Sequence, residues 1–76
     1  MIVMTTEQWT LSLNGQDWRY WAKTINGCKV QVTEHLGFPG RYWIKCYTRP
    51  ARHREIEAVD LDGAKRIAEE WMEEFV

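Results

Sequence analysis

Two cysteines and two histidines alternate along this chain, Cys28, His35, Cys46 and His53. These residue types bind zinc or pair as nucleophile and base. Structural zinc sites draw their ligands from tight knuckles, typically with about two to four residues between the members of a pair. No such knuckle is present. A nucleophile needs a base within hydrogen-bond reach, but seven residues of extended chain would hold Cys28 and His35 about 23 Å apart and on opposite faces. Cys46 and His53 stand in the same relation unless the loop between them folds back. Glu69, Glu70, Glu73 and Glu74 read as a solvated helical face. Each glycine belongs to a turn or, as Gly63, to the first turn of a helix, so no loop cradles phosphate. The expectation is a non-enzyme with no metal and no cofactor.

The second cluster is RPARHR, residues 49 to 54, with three arginines and a histidine in six positions. As the loop of a hairpin it is a solvated tip. If Arg41 and Lys45 point the same way, it becomes a cationic hand. The chain around it has a formal net charge of −1 and a sequence pI near 6.1. Residues 1 to 59 carry eight Lys/Arg against five Asp/Glu, and residues 60 to 76 carry two against six. A chain with a basic part and an acidic part but no basic excess is a poor general binder of polyanions.

The elements that must position these residues follow from turns and periodicity. With 76 residues there is room for one small module, near the lower limit for a core without staples. Hydrophobic residues at 45% and five tryptophans exclude a disordered chain. Asn14-Gly15 and Asn26-Gly27 each carry the signal of a two-residue type I′ hairpin turn, which needs positive φ at both positions. Leu36-Gly37-Phe38-Pro39-Gly40 breaks a third strand, and RPARHR is the fourth break. Strands are predicted near 8–13, 17–25, 28–35, 41–48 and 54–59. From Leu61 the period changes to that of a helix near 61–75, with Leu61, Ala64, Ile67, Ala68, Trp71, Met72 and Phe75 on one face and Asp60 as N-cap. The fold class is therefore α+β: an antiparallel four- or five-stranded meander sheet with one C-terminal helix packed on one face.

The turns also set the two faces of the sheet. A tight Asn26-Gly27 turn opposes Ile25 with Cys28, Lys23 with Val30, Trp21 with Val32 and Arg19 with Glu34. A five-residue loop at Leu36 to Gly40 opposes Val32 with Ile44 and Val30 with Cys46. Trp21, Ile25, Cys28, Val30, Val32, Tyr42, Ile44 and Cys46 then share the face that the helix covers. The other face receives Trp18, Tyr20, Ala22, Thr24, Lys29, Gln31, Thr33, His35, Arg41, Trp43, Lys45 and Tyr47. A tight Asn14-Gly15 turn adds Trp9, Leu11 and Leu13 to it. Rings set among Lys, Arg and Gln on an uncovered sheet suit a recognition surface. The plainer alternative is cross-strand ladders that only stiffen the sheet.

The run GRYWIKCYTRPARHREIEAVDLDGAKRIAEEW resembles the strand, basic turn, strand and Ala-Lys-containing helix of many short phage and prophage proteins. Anti-CRISPR inhibitors are among those of this size and layout. The anchors of the resemblance are Gly40, Trp43, Leu61, Ala64, Lys65 and Ala68. The run is also similar to the AP2-like arm-binding domains of phage-type integrases, which present a three-stranded sheet to DNA. That likeness would place Arg41, Trp43 and Lys45 on the DNA-facing strand and Arg52 and Arg54 at the backbone. The extra N-terminal hairpin departs from it.

Taken together these readings give a non-enzymatic protein-binding module of phage or prophage type, an anti-CRISPR-like inhibitor of a host nucleic-acid-handling complex. Its partner would be a host protein or protein–nucleic-acid complex, met through Trp18, Tyr20, Arg41, Trp43, Lys45, Tyr47, Arg49, Arg52 and Arg54. The alternatives are a DNA-binding domain using the same sheet face and a structural homodimer burying it. The N-terminal MIVMTTEQWT has no basic region and no apolar run of signal-peptide length, and no segment is long and apolar enough to span a bilayer. The chain reads as cytoplasmic, in a bacterial host, with reduced cysteines.

Overall fold

The structure is a computed structural model that describes residues 9 to 74. Five strands, β1 (Thr10–Asn14), β2 (Trp18–Ile25), β3 (Cys28–His35), β4 (Arg41–Cys46) and β5 (Arg52–Glu57), precede one helix, α1 (Leu61–Met72). The sheet order is β1-β2-β3-β4-β5 and every neighbouring pair is antiparallel. This is the meander plus C-terminal helix expected from the turns, with residue 8 of the first predicted strand and Phe75 of the predicted helix outside the described residues.

The β2–β3 turn forms as its chemistry dictates. Asn26 has φ of 51° and Gly27 has φ of 81°, the left-handed pair that a type I′ turn requires. The resulting register is Ile25 opposite Cys28, Lys23 opposite Val30, Trp21 opposite Val32 and Arg19 opposite Glu34. Across the next loop, Val32 lies opposite Ile44 and Val30 opposite Cys46. The helix-covered face of these three strands is therefore the predicted one.

The β1–β2 connection differs. Its loop is three residues long, Gly15 to Asp17, with Gly15 at φ of 76° and Asn14 still in the strand. The extra residue shifts the pairing so that Leu11 opposes Trp21, Leu13 opposes Arg19 and Ser12 opposes Tyr20. One residue of slip exchanges the faces of a strand. Leu11 and Leu13, and with them Trp9, thus belong to the helix side and not to the aromatic face. Trp9 packs against the core there, with the Lys23 and Lys65 ammonium groups each 5.9 Å from its ring centroid.

The core consists of Val30, Val32, Tyr42, Ile44, Cys46 and Ile56 from the sheet and Ala64, Ala68 and Met72 from the helix. Small residues at Ala64 and Ala68 let α1 lie close on β3 and β4, and Leu61, Ile67 and Trp71 pack around that contact. Two polar ties flank it: Lys23 bonds Glu69 of the helix, and the Lys65 ammonium sits 4.1 Å over the Trp21 ring.

Asp60 caps the helix in extended geometry, and its Oδ1 accepts from the Gly63 N–H at 2.8 Å. The cap satisfies one of the first-turn amides that have no partner within the helix. Asp60→Ala is expected to cost about 1 kcal/mol, read as a lower denaturant midpoint with unchanged slope. Asp60→Asn, which keeps an accepting side-chain oxygen, should retain most of that stability.

At the basic turn, β4 ends at Cys46, two residues before the predicted limit. Tyr47 still donates its N–H to the Lys29 carbonyl at 2.9 Å, but Thr48 Oγ1 then turns to the Pro50 carbonyl. Proline has no N–H to continue a ladder. The chain re-enters the sheet at Arg52, so RPARHR is half loop and half strand.

Candidate functional site

Among the described residues the helix covers one face of the sheet and no element covers the other. Alternation along each strand delivers Trp18, Tyr20, Ala22 and Thr24 from β2, Lys29, Gln31, Thr33 and His35 from β3, and Arg41, Trp43 and Lys45 from β4 to this open face. Tyr47 joins them just beyond β4. On β5 the register of His53 with Lys45, Glu55 with Trp43 and Glu57 with Arg41 adds an imidazole and two carboxylates.

The side chains sort along the strands into an aromatic end and a cationic end. At the aromatic end Trp18 is the hub: its ring lies 6.4 Å from Tyr20 in a stacked arrangement, 4.4 Å edge-on from His35, and 5.7 Å from Trp43. Phe38, 56% exposed in the β3–β4 loop, extends the group through His35 at 5.1 Å. These separations are those of favourable ring pairs, so the rings hold one another in place. At the other end Tyr47 carries two lysines, Lys29 at 4.9 Å and Lys45 at 4.6 Å from its ring centroid, and donates its hydroxyl to Gln31 Oε1 at 3.0 Å. Between the ends lies a shallow hollow of about 300 Å³ bounded by Gln31, Thr33, Trp43, Lys45, His53 and Glu55, among others.

The predicted contact residues do not all meet. Trp18, Tyr20, Arg41, Trp43, Lys45 and Tyr47 share the open face. Arg52 pairs with Cys46 and Arg54 with Ile44, which puts both arginines on the helix side. Arg49 lies in the loop between β4 and β5. The condition that would have made RPARHR a single cationic hand with Arg41 and Lys45 is not met. Arg41 is itself neutralised locally: its guanidinium meets Glu55 at 3.0 Å and Glu57 at 3.7 Å. These two acids and His53 join the face beyond the residues that the turns predict for it. Ile56 carried the missing signal, because the one apolar residue of β5 must face the core, and a period of two then sends Arg54 and Arg52 the same way.

The residues with catalytic or ligating chemistry are divided by the sheet. Cys28 and Cys46 lie on the helix side, His35 and His53 on the open side. Burial pushes the Cys46 thiol up, against the pull of Arg52 and with a smaller push from Cys28. Burial thus disfavours its thiolate, the form that acts as nucleophile or metal ligand. Among the described residues no three His, Cys, Asp or Glu side chains are grouped to hold a metal ion. None of the described helices is long and apolar enough to cross a membrane.

No family model matches the chain, and neither a curated protein nor a solved structure matches it.

Proposed function

We propose that the chain is a non-catalytic protein-binding module of the small phage or prophage inhibitor type that its sequence resembles, and that the open sheet face is its contact surface. The observation that carries this reading is the ring cluster of Trp18, Tyr20 and Trp43 on a face that the helix leaves uncovered. Tryptophan, tyrosine and arginine dominate the binding energy of protein interfaces, and rigid rings lose little entropy when a partner docks. The charges around the rings are of both signs, with Lys29 and Lys45 against Glu55 and Glu57, which suits a protein partner with its own mixed pattern. A host nucleic-acid-handling complex is the kind of target that the resemblance implies.

A second reading, nucleic acid on the same face, is favoured by one observation. Tyr47 with Lys29 and Lys45 over its ring combines a stacking platform with two cations, as single-strand binders do. Arg41 bound to two carboxylates, Arg52 and Arg54 on the far side, and a pI near 6.1 all weigh against it.

The experiment is capture from bacterial lysate on the tagged full chain, with and without nuclease. The proposal expects a defined protein complex that survives nuclease and is lost when Trp43 or Trp18 is replaced by alanine. Capture of nucleic acid alone, released by moderate salt, would overturn it in favour of the second reading.

A further inference from the structure

The two edges of the sheet are built differently. β5, at one edge, reads Arg-His-Arg-Glu-Ile-Glu, and four of its six residues are charged. Charged edge strands are a standard guard against pairing with another chain. β1, at the other edge, reads Thr-Leu-Ser-Leu-Asn, with no charge and no proline, and every one of its residues is exposed. Its outer row of backbone groups has no strand partner among the described residues. Helix α1 lies over β3 and β4, so Leu11 and Leu13 stand on the helix side with 43% and 68% of their surface in solvent. An uncharged, exposed edge with a row of leucines is a template for strand addition.

The sequence of this edge also specifies what adds to it. Thr10-Leu11-Ser12-Leu13-Asn14 is polar, apolar, polar, apolar, polar, and reads nearly the same in both directions about Ser12. We propose that two copies of the chain pair antiparallel through β1, about a twofold axis at Ser12, to make one continuous ten-stranded sheet from two five-stranded ones. In this register Leu11 faces the partner's Leu13 and Leu13 the partner's Leu11, so four leucines form one patch between the two helices. On the other side Thr10 faces the partner's Asn14 and Ser12 faces Ser12 of the partner subunit. No like charges oppose one another anywhere along the strand pair, which a second copy of β5 could not achieve.

The axis stands perpendicular to the sheet, because residues directly opposite in a ladder point to the same side. Both open faces consequently lie side by side and stay uncovered. This interface does not depend on the function proposed for that face, and it differs from a homodimer that buries the aromatic rings.

The test is the mass of the full chain by sedimentation equilibrium, together with Ser12→Lys, Leu13→Lys and Trp43→Ala. The wild type and Trp43→Ala should approach twice the 9.1 kDa chain mass as concentration rises. Both lysine variants should stay at the chain mass with an unchanged far-ultraviolet spectrum, since Ser12→Lys sets two ammonium groups opposite each other and Leu13→Lys sets one on leucine. A Ser12→Cys chain with Cys28→Ser should form a disulfide-linked dimer under mild oxidation, because directly opposed residues lie about 4.5–5.5 Å apart at Cα, within disulfide range. A wild type that remains monomeric throughout, a dimer that survives both lysines, or one lost only with Trp43→Ala would each overturn the proposal. A monomer that takes up an extended peptide along β1 would also overturn it, giving the edge to a different occupant.

Discussion

Replacing Ile44 with alanine is expected to remove about 2–5 kcal/mol of folding stability. The side chain is 1% exposed and lies in the middle of the sheet, with Val32 opposite it on β3 and the helix above. Truncation removes the transfer free energy of the lost carbons and leaves a cavity that a five-stranded sheet cannot close by sliding one strand, since β4 is paired on both sides. At about 0.05–0.15 kcal/mol per residue, a domain of this size has a total stability of roughly 4–11 kcal/mol, so the substitution takes a large share of it. Tryptophan fluorescence through a urea titration reads the change directly, Trp21 and Trp71 packing at the edge of the same core. A shift under about 1 kcal/mol would mean that the interior is not organised around β4. Leu13→Ala, on a side chain 68% exposed, provides the contrast, with a change within about 0.5 kcal/mol for the monomer.

Trp43→Ala should weaken binding to a captured protein partner by about 30-fold or more, corresponding to roughly 2 kcal/mol at a hot-spot residue. Trp43 touches Trp18 and borders the central hollow of the open face, so its loss removes contact area and also frees a neighbouring ring. Arg54→Ala is the informative comparison, because Arg54 shares the helix side with Ile44. The expected pattern is a large loss at Trp43 and little at Arg54, with the denaturant midpoint measured for each to separate binding from folding. The reverse pattern would move the contact surface to the helix side and reject the proposed face.

How far these assignments could be read from the residues alone depended on how strongly each turn was specified. Asn26-Gly27 separates two eight-residue strands, and its even-numbered loop puts Trp21, Val30 and Val32 on the apolar side, where an odd-numbered one would not. Local chemistry and burial pointed to the same register. Asn14-Gly15 offered the same dipeptide, but the strand before it has five residues and little burial to enforce a choice. There the packing of Trp9 against the core decides the register, and the loop lengthens to Gly15–Asp17 to accommodate it. The aromatic end of the open face was legible because β2 and β4 alternate cleanly. The sign of its charge was not, since the carboxylates that bind Arg41 lie on β5, whose phase hangs on Ile56 alone.

Because each strand hydrogen-bonds only to its neighbours in sequence, the order of events in folding is constrained as well as the end state. The four hairpins close short loops, which form in microseconds, and none must wait for a distant segment. Among the described residues the long closure is the return of α1 to the sheet, where Lys23 of β2 bonds Glu69 across 46 residues of chain. Rates fall as contacting residues become more distant in sequence. The helix therefore makes the contacts most distant in sequence, while each hairpin pairs segments that are neighbours along the chain.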